Sequence, residues 1–398
     1  MAEGHTRPAW AEVDLSAVRH NVEVLRACAA PAAVCAVVKA GAYGHGAVPV
    51  ARAALEGGAA GLAVALVDEG VELREAGIGA PVLVLSEPPA TAAEVVVATG
   101  LTPTVATSGT VRALGAAARR AGTRIAVHMK VDTGMHRVGV APEGAAGLAA
   151  AVAEEPALRL EGVFTHLAVA DGTGPEERSF TAGQLERFDA VVAGLGARPQ
   201  VLHAANTAGA VAWPGARYDM VRCGIGIYGL APSPVFVEGS SGRVAEVLAQ
   251  LRPALSLSAR VSAVRELGPG ARPSYGRLRP LPDRAVVATV PLGYADGVPR
   301  ALFGAGCTVL VGGRRRPLAG MVTMDQIVVD CGPDAAVAVG DEVVLIGDQG
   351  GEAIAVSEWA RMLGTVDYEV VCGIGARVAR RYVAQRPLRS AARTGRRG

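Results

Sequence analysis

The sequence predicts an α/β protein with two domains: an amino-terminal barrel of eight βα units and a mainly β carboxy-terminal domain. Three observations predict this fold. From residue 34 to about residue 230, eight short Val/Ile/Leu-rich runs alternate with longer segments of helical period. A Pro/Gly/Ser-rich stretch, APSPVFVEGSSG, interrupts this alternation. Strand-like runs separated by turn signals follow it.

The predicted strands of the first domain are nearly continuous apolar runs, which is typical of a parallel sheet covered on both faces. They begin at Val34, Gly61, Pro81, Thr102, Arg124, Arg159, Gln200 and Asp219. Eight strand–helix repeats favour a closed TIM-type barrel, (β/α)8, over the alternative of an open doubly wound sheet. A GxGxxG nucleotide fingerprint after the first run is missing, which disfavours the Rossmann version of that alternative. The helical segments SGTVRALGAAARRAG and SFTAGQLERFDAVVAGLG each open with a serine suited to an N-cap.

We therefore assign residues 1–240 to the barrel domain and 241–385 to the β domain, with APSPVFVEGSSG as the linker or surface loop between them. The early segment AWAEVDL, about residues 9–15, is a candidate strand for the second domain's sheet. Residues 386–398 are basic and are expected to form a solvated, disordered tail. The β-domain strands are predicted in ALSLSARVSAVREL, RAVVATVPLGY, CTVLVGG, QIVVDCG, DEVVLIG and DYEVVCGIGARV, with LGPG and VGGRRR as turns and VSEWARMLG as a short helix.

Composition excludes several classes of function. The chain has 398 residues, is 51% hydrophobic and carries a formal net charge of +2, which is too small for a nucleic-acid binder. No window holds eighteen consecutive apolar residues and the amino terminus lacks a secretory pattern, so we expect a cytoplasmic protein without membrane spans. The six cysteines are spread singly, so neither disulfides nor a metal site are expected.

Lysine is nearly absent from this chain. Among 39 basic residues, lysine occurs only at Lys39 and Lys130. Lys39 lies in the apolar run VCAVVKAGAYGHG, where its burial costs free energy. An amine, unlike a guanidinium, loses its proton readily, and can then attack a carbonyl to form a Schiff base or act as a base. The alternative for Lys39 is a lysine whose ammonium reaches solvent from a strand end.

The other chemically active residues gather at the same places in the pattern. Active sites of such barrels lie at the carboxyl ends of the strands. The residues found at or near those ends are Lys39, Lys130, His166, His203, Asn206 and Arg222. Chance placement would put some of them on helices, so the grouping favours a catalytic role for Lys39 over the solvent-reaching alternative.

Nine segments, in order and spacing, resemble the alanine racemases that depend on pyridoxal phosphate. These segments are VVKAGAYGHG, KVDTGMHRVG, FTHLA, HAANTAG, MVRCGIGIYG, SYG, PLGYADG, GMVTMDQ and TVDYEVVCGIG. The resemblance covers nearly the whole chain. It implies a homodimer that interconverts L- and D-alanine, with active sites shared between subunits, and a product that supplies peptidoglycan.

The resemblance also implies roles for individual residues around the cofactor. Lys39 would hold the cofactor aldehyde, and Tyr275, donated by the neighbouring subunit, would be the second base. With an unperturbed pKa of about 10, a tyrosine is a poor base unless nearby positive charge stabilises its phenolate. His166 and Arg222 would supply that stabilisation. Arg222 would face the pyridine nitrogen, supported by His203. Since arginine keeps its proton, that nitrogen should stay unprotonated, which discourages side reactions.

Phosphate and substrate contacts follow from the same resemblance. Glycine-flanked backbone amides and hydroxyls would bind the phosphate. The residues assigned to cofactor binding, in addition to those above, are Tyr43, Asn206, Thr207, Gly224, Ile225 and Tyr368. The residues assigned to substrate binding are Arg137, Tyr294, Met324 and Asp325. Lys130 resembles a family lysine that is often carbamylated to N-carboxylysine and then orients the arginine.

Three positions depart from the usual pattern. Gly41 stands where Asp or Asn is common, Met321 where arginine is frequent, and Thr323 where cysteine is frequent. The lost charge at Met321 leaves open a racemase of serine or another small amino acid. A pyridoxal phosphate decarboxylase is disfavoured because Arg222 stands where an acidic residue would be expected. A non-enzymatic pyridoxal-phosphate-binding or homeostasis protein is the third alternative, and the second domain with Tyr275 argues against it.

Overall fold

The computed structural model describes residues 6–384. The chain divides into two compact units. One, the barrel unit, comprises residues 17–252. The other, the β unit, contains the described residues up to Ser16 and from Pro253 onward. The sequence interpretation placed the domain boundary after residue 240, and its tail at 386–398 lies outside the described residues.

The strand β1 (Ala9–Asp14) belongs to the β unit, and the next eight strands form the barrel unit. These eight are β2 (Ala33–Val37), β3 (Gly61–Val64), β4 (Val82–Val84), β5 (Thr102–Val105), β6 (Ile125–Lys130), β7 (Leu158–Phe164), β8 (Val201–His203) and β9 (Met220–Cys223). They are parallel and lie in the order β8-β7-β6-β5-β4-β3-β2-β9. At the seam between β8 and β9, the Asp219 amide donates to the Leu202 carbonyl at 3.0 Å and the Arg222 amide to that of Ala205 at 2.9 Å. The predicted eight-stranded barrel is confirmed.

Helices alternate with the barrel strands, and the last two of them follow β9. They are α1 (Leu15–Ala29), α2 (Lys39–Tyr43), α3 (Ala47–Glu56), α4 (Val67–Glu75), α5 (Ala93–Ala98), α6 (Ser108–Arg120), α7 (Ala145–Glu154), α8 (Pro175–Ala193), α9 (Thr207–Ala212), α10 (Pro234–Glu238) and α11 (Gly242–Gln250). The stretch predicted as a linker therefore contributes α10 and leads into α11. Ser233 caps α10 by accepting the Phe236 amide at 3.2 Å, a role that its sequence context did not reveal.

Both predicted serine N-caps are wrong. Thr107, one residue earlier, caps α6, since its hydroxyl accepts the amide of Thr110 at 3.3 Å. Helix α8 begins at Pro175, so Ser179 lies inside it. Proline suits the first helical position because its φ is already helical and its missing N–H is not needed there. Glu176 and Glu177 add favourable negative charge to the first turn.

The β unit holds two sheets. Its strands are β1, β10 (Leu255–Arg260), β11 (Ala263–Leu267), β12 (Ala285–Val290), β13 (Thr308–Val311), β14 (Arg314–Pro317), β15 (Ile327–Asp330), β16 (Glu342–Gln349), β17 (Glu352–Ile354) and β18 (Ala379–Val383). One sheet has the order β14-β13-β16-β10-β1-β18, with β17 paired to β16, and the other β11-β12-β15. Strand β1 pairs antiparallel with β10 and parallel with β18, so the early segment lies in this unit's sheet.

Helices α12 (Val356–Leu363) and α13 (Asp367–Cys372) complete the β unit and include one correction. DYEVVC, predicted as part of a strand, is α13. Asp367 and Glu369 in its first turn favour a helix there, and this outweighs the strand preference of Tyr and Val. The arginines predicted as a turn form β14. Among residues 6–384, no helix has the length and apolarity that a membrane span requires.

Candidate active site

The loop after β2 begins with Lys39 and adopts an unusual backbone. Helix α2 is left-handed in its interior, since φ is +53° at Ala40, +59° at Gly41, +53° at Ala42 and +53° at Tyr43. Left-handed conformation costs about 1–2 kcal/mol for each residue with a side chain, and strain of this kind clusters at functional sites. Gly41, one of the departures from the usual pattern, adopts this conformation without steric cost. The turn links half-buried Lys39 to buried Tyr43.

Tyr43, Thr207 and the turn after β9 form a small polar cradle. The amides of Gly224 and Gly226 both donate to the Thr207 hydroxyl, at 3.1 and 3.4 Å. A Cβ atom added to Gly224 would lie 2.5 Å from the Tyr43 hydroxyl, so this position has no room for a side chain. Ile225 follows as the first residue of a short 3-10 helix, Ile225–Tyr228. Two hydroxyls and two backbone amides thus converge at the carboxyl end of β9.

Asn206 has a structural task beside this cradle. Its side-chain oxygen accepts the amide of Gly209 at 2.9 Å and so caps α9. The cap fixes the start of the helix at Thr207, whose hydroxyl is part of the cradle. Asn206, predicted as a cofactor contact, therefore already uses its side-chain oxygen within the protein.

Arg222 lies buried in the barrel between two histidines. Its Nη1 is 2.7 Å from Nδ1 of His203, and its Nη2 is 3.3 Å from Nδ1 of His166. Nη2 also donates to the carbonyls of Thr165 at 2.8 Å and Ala204 at 2.9 Å. Burial lowers the pKa of Arg222 to about 10, so the guanidinium keeps its charge at neutral pH. Arg222 is therefore a fixed, charged donor.

The surrounding titratable groups respond to this concentration of positive charge. Burial, followed by the charges of Arg222 and Arg137, holds the pKa of His166 well below its usual value. Burial, then Arg222, does the same to the pKa of His203. Burial, then Arg137, lowers the pKa of Lys130 to about 8, and Lys39 contributes to the same shift. The two imidazoles are neutral at pH 7, and the face as a whole favours an anionic ligand.

Phe164, at the end of β7, joins these groups. Its ring stacks on that of His203, with centroids 4.6 Å apart and planes 7° apart. The Lys130 ammonium nitrogen lies 5.5 Å, and the Arg222 guanidinium carbon 5.2 Å, from the Phe164 ring centroid. The aromatic face stabilises both cations without offering a proton acceptor. Sequence reasoning missed Phe164, although it ends a strand of the same barrel.

The turn after β6 positions Arg137. The carboxylate of Asp132 accepts the amides of Gly134 and His136, each at 3.0 Å. Burial acts to raise the pKa of Asp132, and the amides of His136 and Gly134 outweigh it, so the net shift is downward. The carboxylate is thus ionised and closes a local turn. Arg137 is exposed immediately after it.

The candidate residues of the β unit are exposed in the single chain. The exposed fractions are 71% for Tyr275, 44% for Tyr294 and 52% for Met324. Tyr275 opens a short 3-10 turn, and the preceding Ser274 has φ of +67° and donates its hydroxyl to the Met321 carbonyl at 2.6 Å. This hydrogen bond therefore fixes the backbone at Met321, one of the three unusual positions. It does not replace the positive charge that an arginine would bring there. Tyr368, in α13, is half-buried.

The loops that carry Tyr294 and Met324 are fastened to each other. The Tyr294 amide donates to the Thr323 carbonyl at 2.9 Å, and the amide of the next residue donates to the Met324 carbonyl at 3.1 Å. Thr323, where cysteine is frequent, uses its hydroxyl to bind the Gln326 carbonyl at 2.9 Å. These contacts fix the backbone beneath two exposed side chains.

Asp296, which sequence reasoning missed, binds the loop that carries Tyr294 through a buried carboxylate. Its side chain is fully buried and accepts both terminal nitrogens of Arg7, at 2.5 and 2.6 Å. It also accepts the Gly293 amide at 2.9 Å and lies 3.4 Å from Nε of Arg377. Arg377 in turn binds the carboxylate of Asp325 at 2.6 Å. The acidic residue of PLGYADG gave the only sequence signal for this network.

The fold and the cationic face define a class of protein: a barrel followed in the chain by a β unit, with buried positive charge gathered near a lysine at the ends of the barrel strands. Family models agree with this class and narrow it. The model described as "Alanine racemase, N-terminal domain" matches residues 13–232, and "Alanine racemase, C-terminal domain" matches residues 254–382.

Individual relatives agree along the whole chain. An alanine racemase of Symbiobacterium thermophilum is 48% identical over 379 residues, covering 94% of this chain and 97% of the relative. An alanine racemase of Desulfovibrio desulfuricans is 42% identical over 384 residues, covering 95% and 98%. The crystal structure of alanine racemase from E. faecalis has a TM-score of 0.87 at 36% identity and covers 96% of this chain and 100% of that one. The chain belongs to the alanine racemase family.

Proposed function

We propose that this protein is a pyridoxal-phosphate-dependent racemase that interconverts L- and D-alanine. The observation that carries the proposal is the buried guanidinium of Arg222 on the barrel face that also bears Lys39. An arginine cannot transfer its proton at ordinary pH, so it offers the ring nitrogen of a bound cofactor a hydrogen bond and no acid. Family membership supports both the cofactor and the substrate.

The residues present fit the cofactor. Its phosphate requires several donors in a confined space, and the hydroxyls of Tyr43 and Thr207 lie together with the amides of Gly224 and Gly226, which a phosphate oxygen could take over from the Thr207 hydroxyl. Burial and, after it, the neighbouring cations depress the pKa of Lys130, and this concentration of positive charge suits a ligand with several negative charges. When bound, the cofactor would supply an electron-withdrawing ring attached to the amino group of the substrate.

We assign the two proton transfers to Lys39 and Tyr275, acting on opposite faces of the α-carbon. A single base would mostly return the proton to the face it came from, so inversion is best served by two. Lys39 would also bind the cofactor covalently when substrate is absent. Tyr275 needs nearby positive charge to act as a base, and Arg222 with His166 would provide it.

Substrate recognition is assigned to Arg137, with Met324, Asp325 and Tyr294. A guanidinium suits a carboxylate because its planar donors match the two oxygens. The pKa of about 8 for Lys130 leaves about a tenth of its amine neutral at pH 7, a far larger fraction than for an ordinary lysine. Only the neutral amine adds carbon dioxide. We infer that Lys130 is carbamylated and then attracts Arg137.

We propose that the active enzyme is a homodimer in which Tyr275, Tyr294, Met324 and Asp325 serve the site of the partner subunit. The high exposure of the first three in the single chain supports this assignment, because a catalytic tyrosine works best when it is withdrawn from water. The free cysteines of the described chain support a reducing compartment, and we propose the cytoplasm. D-alanine made there would serve peptidoglycan synthesis.

Racemisation is tested by following the loss of optical rotation with single enantiomers of alanine, serine and other small amino acids. We expect alanine to be converted with the highest kcat/KM in both directions, and only after pyridoxal phosphate is supplied to stripped protein. Preference for serine would move the assignment to another small-amino-acid racemase. Absence of racemisation with every amino acid, in protein that binds the cofactor, would favour the homeostasis alternative.

The shared site is tested by mixing two inactive variants. Lys39→Ala and Tyr275→Phe subunits that exchange should form heterodimers with one intact site and one doubly defective site. We expect activity to reappear in proportion to the heterodimer, up to about half of the wild-type value per dimer. Verified heterodimers without activity would mean that Tyr275 acts within its own chain or has no catalytic role.

A further inference from the structure

A continuous line of side chains runs from Arg222 toward the amino-terminal end of the barrel. Nε2 of His203 is 2.9 Å from Nδ1 of His128, on β6. Nε2 of His128 is 3.4 Å from Oε2 of Glu161, on β7. With the 2.7 Å contact between Arg222 and His203, four residues on four strands are linked in series.

Only one arrangement of protons satisfies the whole line. Arginine has no acceptor, so Nδ1 of His203 must accept from Arg222. A neutral imidazole carries a single N–H, so Nε2 of His203 is the donor to Nδ1 of His128. The N–H of His128 is then on Nε2 and points to Glu161. Every donor in the line faces an acceptor, which is the condition for a stable buried network.

Ionisation agrees with this arrangement at both ends. Burial and the charge of Arg222 hold the pKa of His203 well below its usual value, so it is neutral. The hydrogen bond from His128, more than burial or the contact with Arg159, sets the pKa of Glu161, which falls to about 2. Glu161 is therefore a carboxylate at neutral pH. A cation and an anion lie at opposite ends of two neutral rings.

The barrel is shaped around His128. Gly162 is its neighbour in the β6–β7 register, and a Cβ atom at Gly162 would lie 2.6 Å from two atoms of the His128 ring. The pairing of the two strands shifts between Val127 and His128, which makes the space for the ring. Phe164 clamps His203 by stacking on its face. Such fitted contacts are typical of residues whose orientation matters.

The far end of the line faces a cavity of about 260 Å³ that includes His128 and Glu161 in its lining. The Glu161 side chain is 25% exposed there and is also bound by Arg159 at 2.8 Å. Arg222 is only 3% exposed. The carboxylate is thus at the opposite, solvent-accessible end of the line from the buried guanidinium.

We propose that His128 and Glu161 are positioning residues for Arg222, which hold the His203 ring in the orientation in which its Nδ1 accepts from the guanidinium. If Nδ1 of His203 carried the proton, it would face an N–H of Arg222 and the contact would be repulsive, so Arg222 selects the tautomer. His128 holds the ring in place because its Nδ1 accepts from Nε2 of His203, and Glu161 orients His128 in turn. The proposal rests on the proposed function only for what Arg222 contacts in the loaded enzyme.

The tautomer is measured directly by nitrogen NMR of the cofactor-loaded protein with labelled histidine. In the wild type we expect His203 and His128 to be neutral and protonated on Nε2. His128→Leu leaves the Nε2–H of His203 without an acceptor, so the His203 signals should shift and broaden as the ring loses its fixed orientation toward Arg222. His128→Asn restores an amide oxygen near the position of Nδ1 and should return the wild-type signals. Glu161→Leu should change the signal of His128 more than that of His203, because of these two histidines Glu161 contacts only His128.

Kinetics of the same variants separate positioning from general stability. We expect His128→Leu to lower kcat for alanine by about tenfold with KM within about twofold. The reason is the loss of the buried hydrogen bond between His128 and His203, which orients the partner of Arg222. His128→Asn should recover most of that loss, and Glu161→Leu should lower kcat by about threefold. Glu94→Gln, which breaks an exposed ion pair with Arg120, is the control and should match the wild type.

Unchanged His203 signals in His128→Leu, or equal damage in His128→Asn and His128→Leu, would overturn the proposal. If His128→Leu does not fold, Glu161→Leu decides, since its site is partly exposed: unchanged histidine signals and unchanged kcat would count against the proposal. If the His203 signals change as expected but wild-type protein does not racemise alanine, the proposed function fails while the positioning role stands.

Discussion

The candidate residues of the barrel unit and of the β unit differ in how completely their own chain holds them. Arg222 is 3% and Lys130 6% exposed, and Arg222 has four hydrogen-bonding partners in its own unit. Tyr275 is 71% exposed, and the structure fixes the backbone around it and not its ring. The barrel half of the proposed site is therefore preorganised within one chain, whereas the β half has its loops prepared and its side chains uncovered.

This difference predicts which residues affect both stability and activity and which affect activity alone. Changes in the buried barrel residues should alter folding as well as chemistry, because polar partners are left unsatisfied. Changes at the exposed tyrosines should alter chemistry alone. The following predictions test that separation, beginning with the largest expected effect.

Lys39→Ala should abolish racemisation, with a loss of at least ~10⁴-fold, because both the covalent attachment and one proton transfer depend on this amine. The visible absorbance of lysine-bound cofactor should disappear as well. Lys39→Arg is the matched control, since it keeps the charge without the removable proton, and it should be equally inactive. Recovery of activity in Lys39→Arg would reduce the role of Lys39 to its charge.

Tyr275→Phe should lower kcat by about 10²–10⁴-fold while the melting temperature stays within experimental error of the wild type. Each base serves one face, so exchange of the α-hydrogen should be impaired much more for one enantiomer of alanine than for the other. Tyr382→Phe changes a tyrosine of the same unit that is 40% exposed and should have no such effect. Equal impairment of both enantiomers would contradict the two-base assignment.

Asp296→Asn should destabilise the protein by about 3 kcal/mol, because it leaves Arg7 and Arg377 without their buried carboxylate. Thermal unfolding measures this loss. Glu266→Gln removes an ion pair whose two side chains are 60% and 65% exposed, and should cost under about 1 kcal/mol. If the two variants were equally stable, the loops under Tyr294 and Met324 would not depend on this anchor.

Gly224→Ala should weaken pyridoxal phosphate binding by about tenfold, since the new Cβ would displace the Tyr43 hydroxyl from the cradle. Titration of stripped protein with the cofactor measures this change. Gly215→Ala is the control, because nothing lies within 4 Å of the added atom. Unchanged affinity in Gly224→Ala would move the phosphate site elsewhere.

Removal of carbon dioxide should raise KM for alanine by a fewfold at pH 8.5 and by less at pH 6.5. The pKa of about 8 for Lys130 means that its neutral fraction falls about tenfold for each pH unit below that value. Less amine is then available to add carbon dioxide, so less adduct forms in acid and less is lost when the gas is removed. Added bicarbonate should reverse the effect in the wild type and do nothing in Lys130→Ala. A response that is larger at pH 6.5 would contradict the assignment.

Much of the barrel was readable from the sequence because its signals are local. All eight predicted runs are strands, since continuous Val/Ile/Leu runs suit strands buried on both faces. The scarcity of lysine directed attention to Lys39 and Lys130, and strand-end placement brought in Arg222 and its histidines. Helix starts were less readable: Ser179 was predicted as a cap, and the helix begins four residues earlier, at Pro175.

The sequence by itself therefore determined the barrel, the mainly β second domain, the family and the residue types available for chemistry. Only the tertiary structure decided which partners those residues have. His128 lies 75 residues from His203, and Asp296 lies 289 residues from Arg7, so no local pattern connects them. Gly162 matters only because register sets it against the His128 ring. Hydrogen bonds and pKa shifts depend on distances and burial that exist only once the strands are assembled.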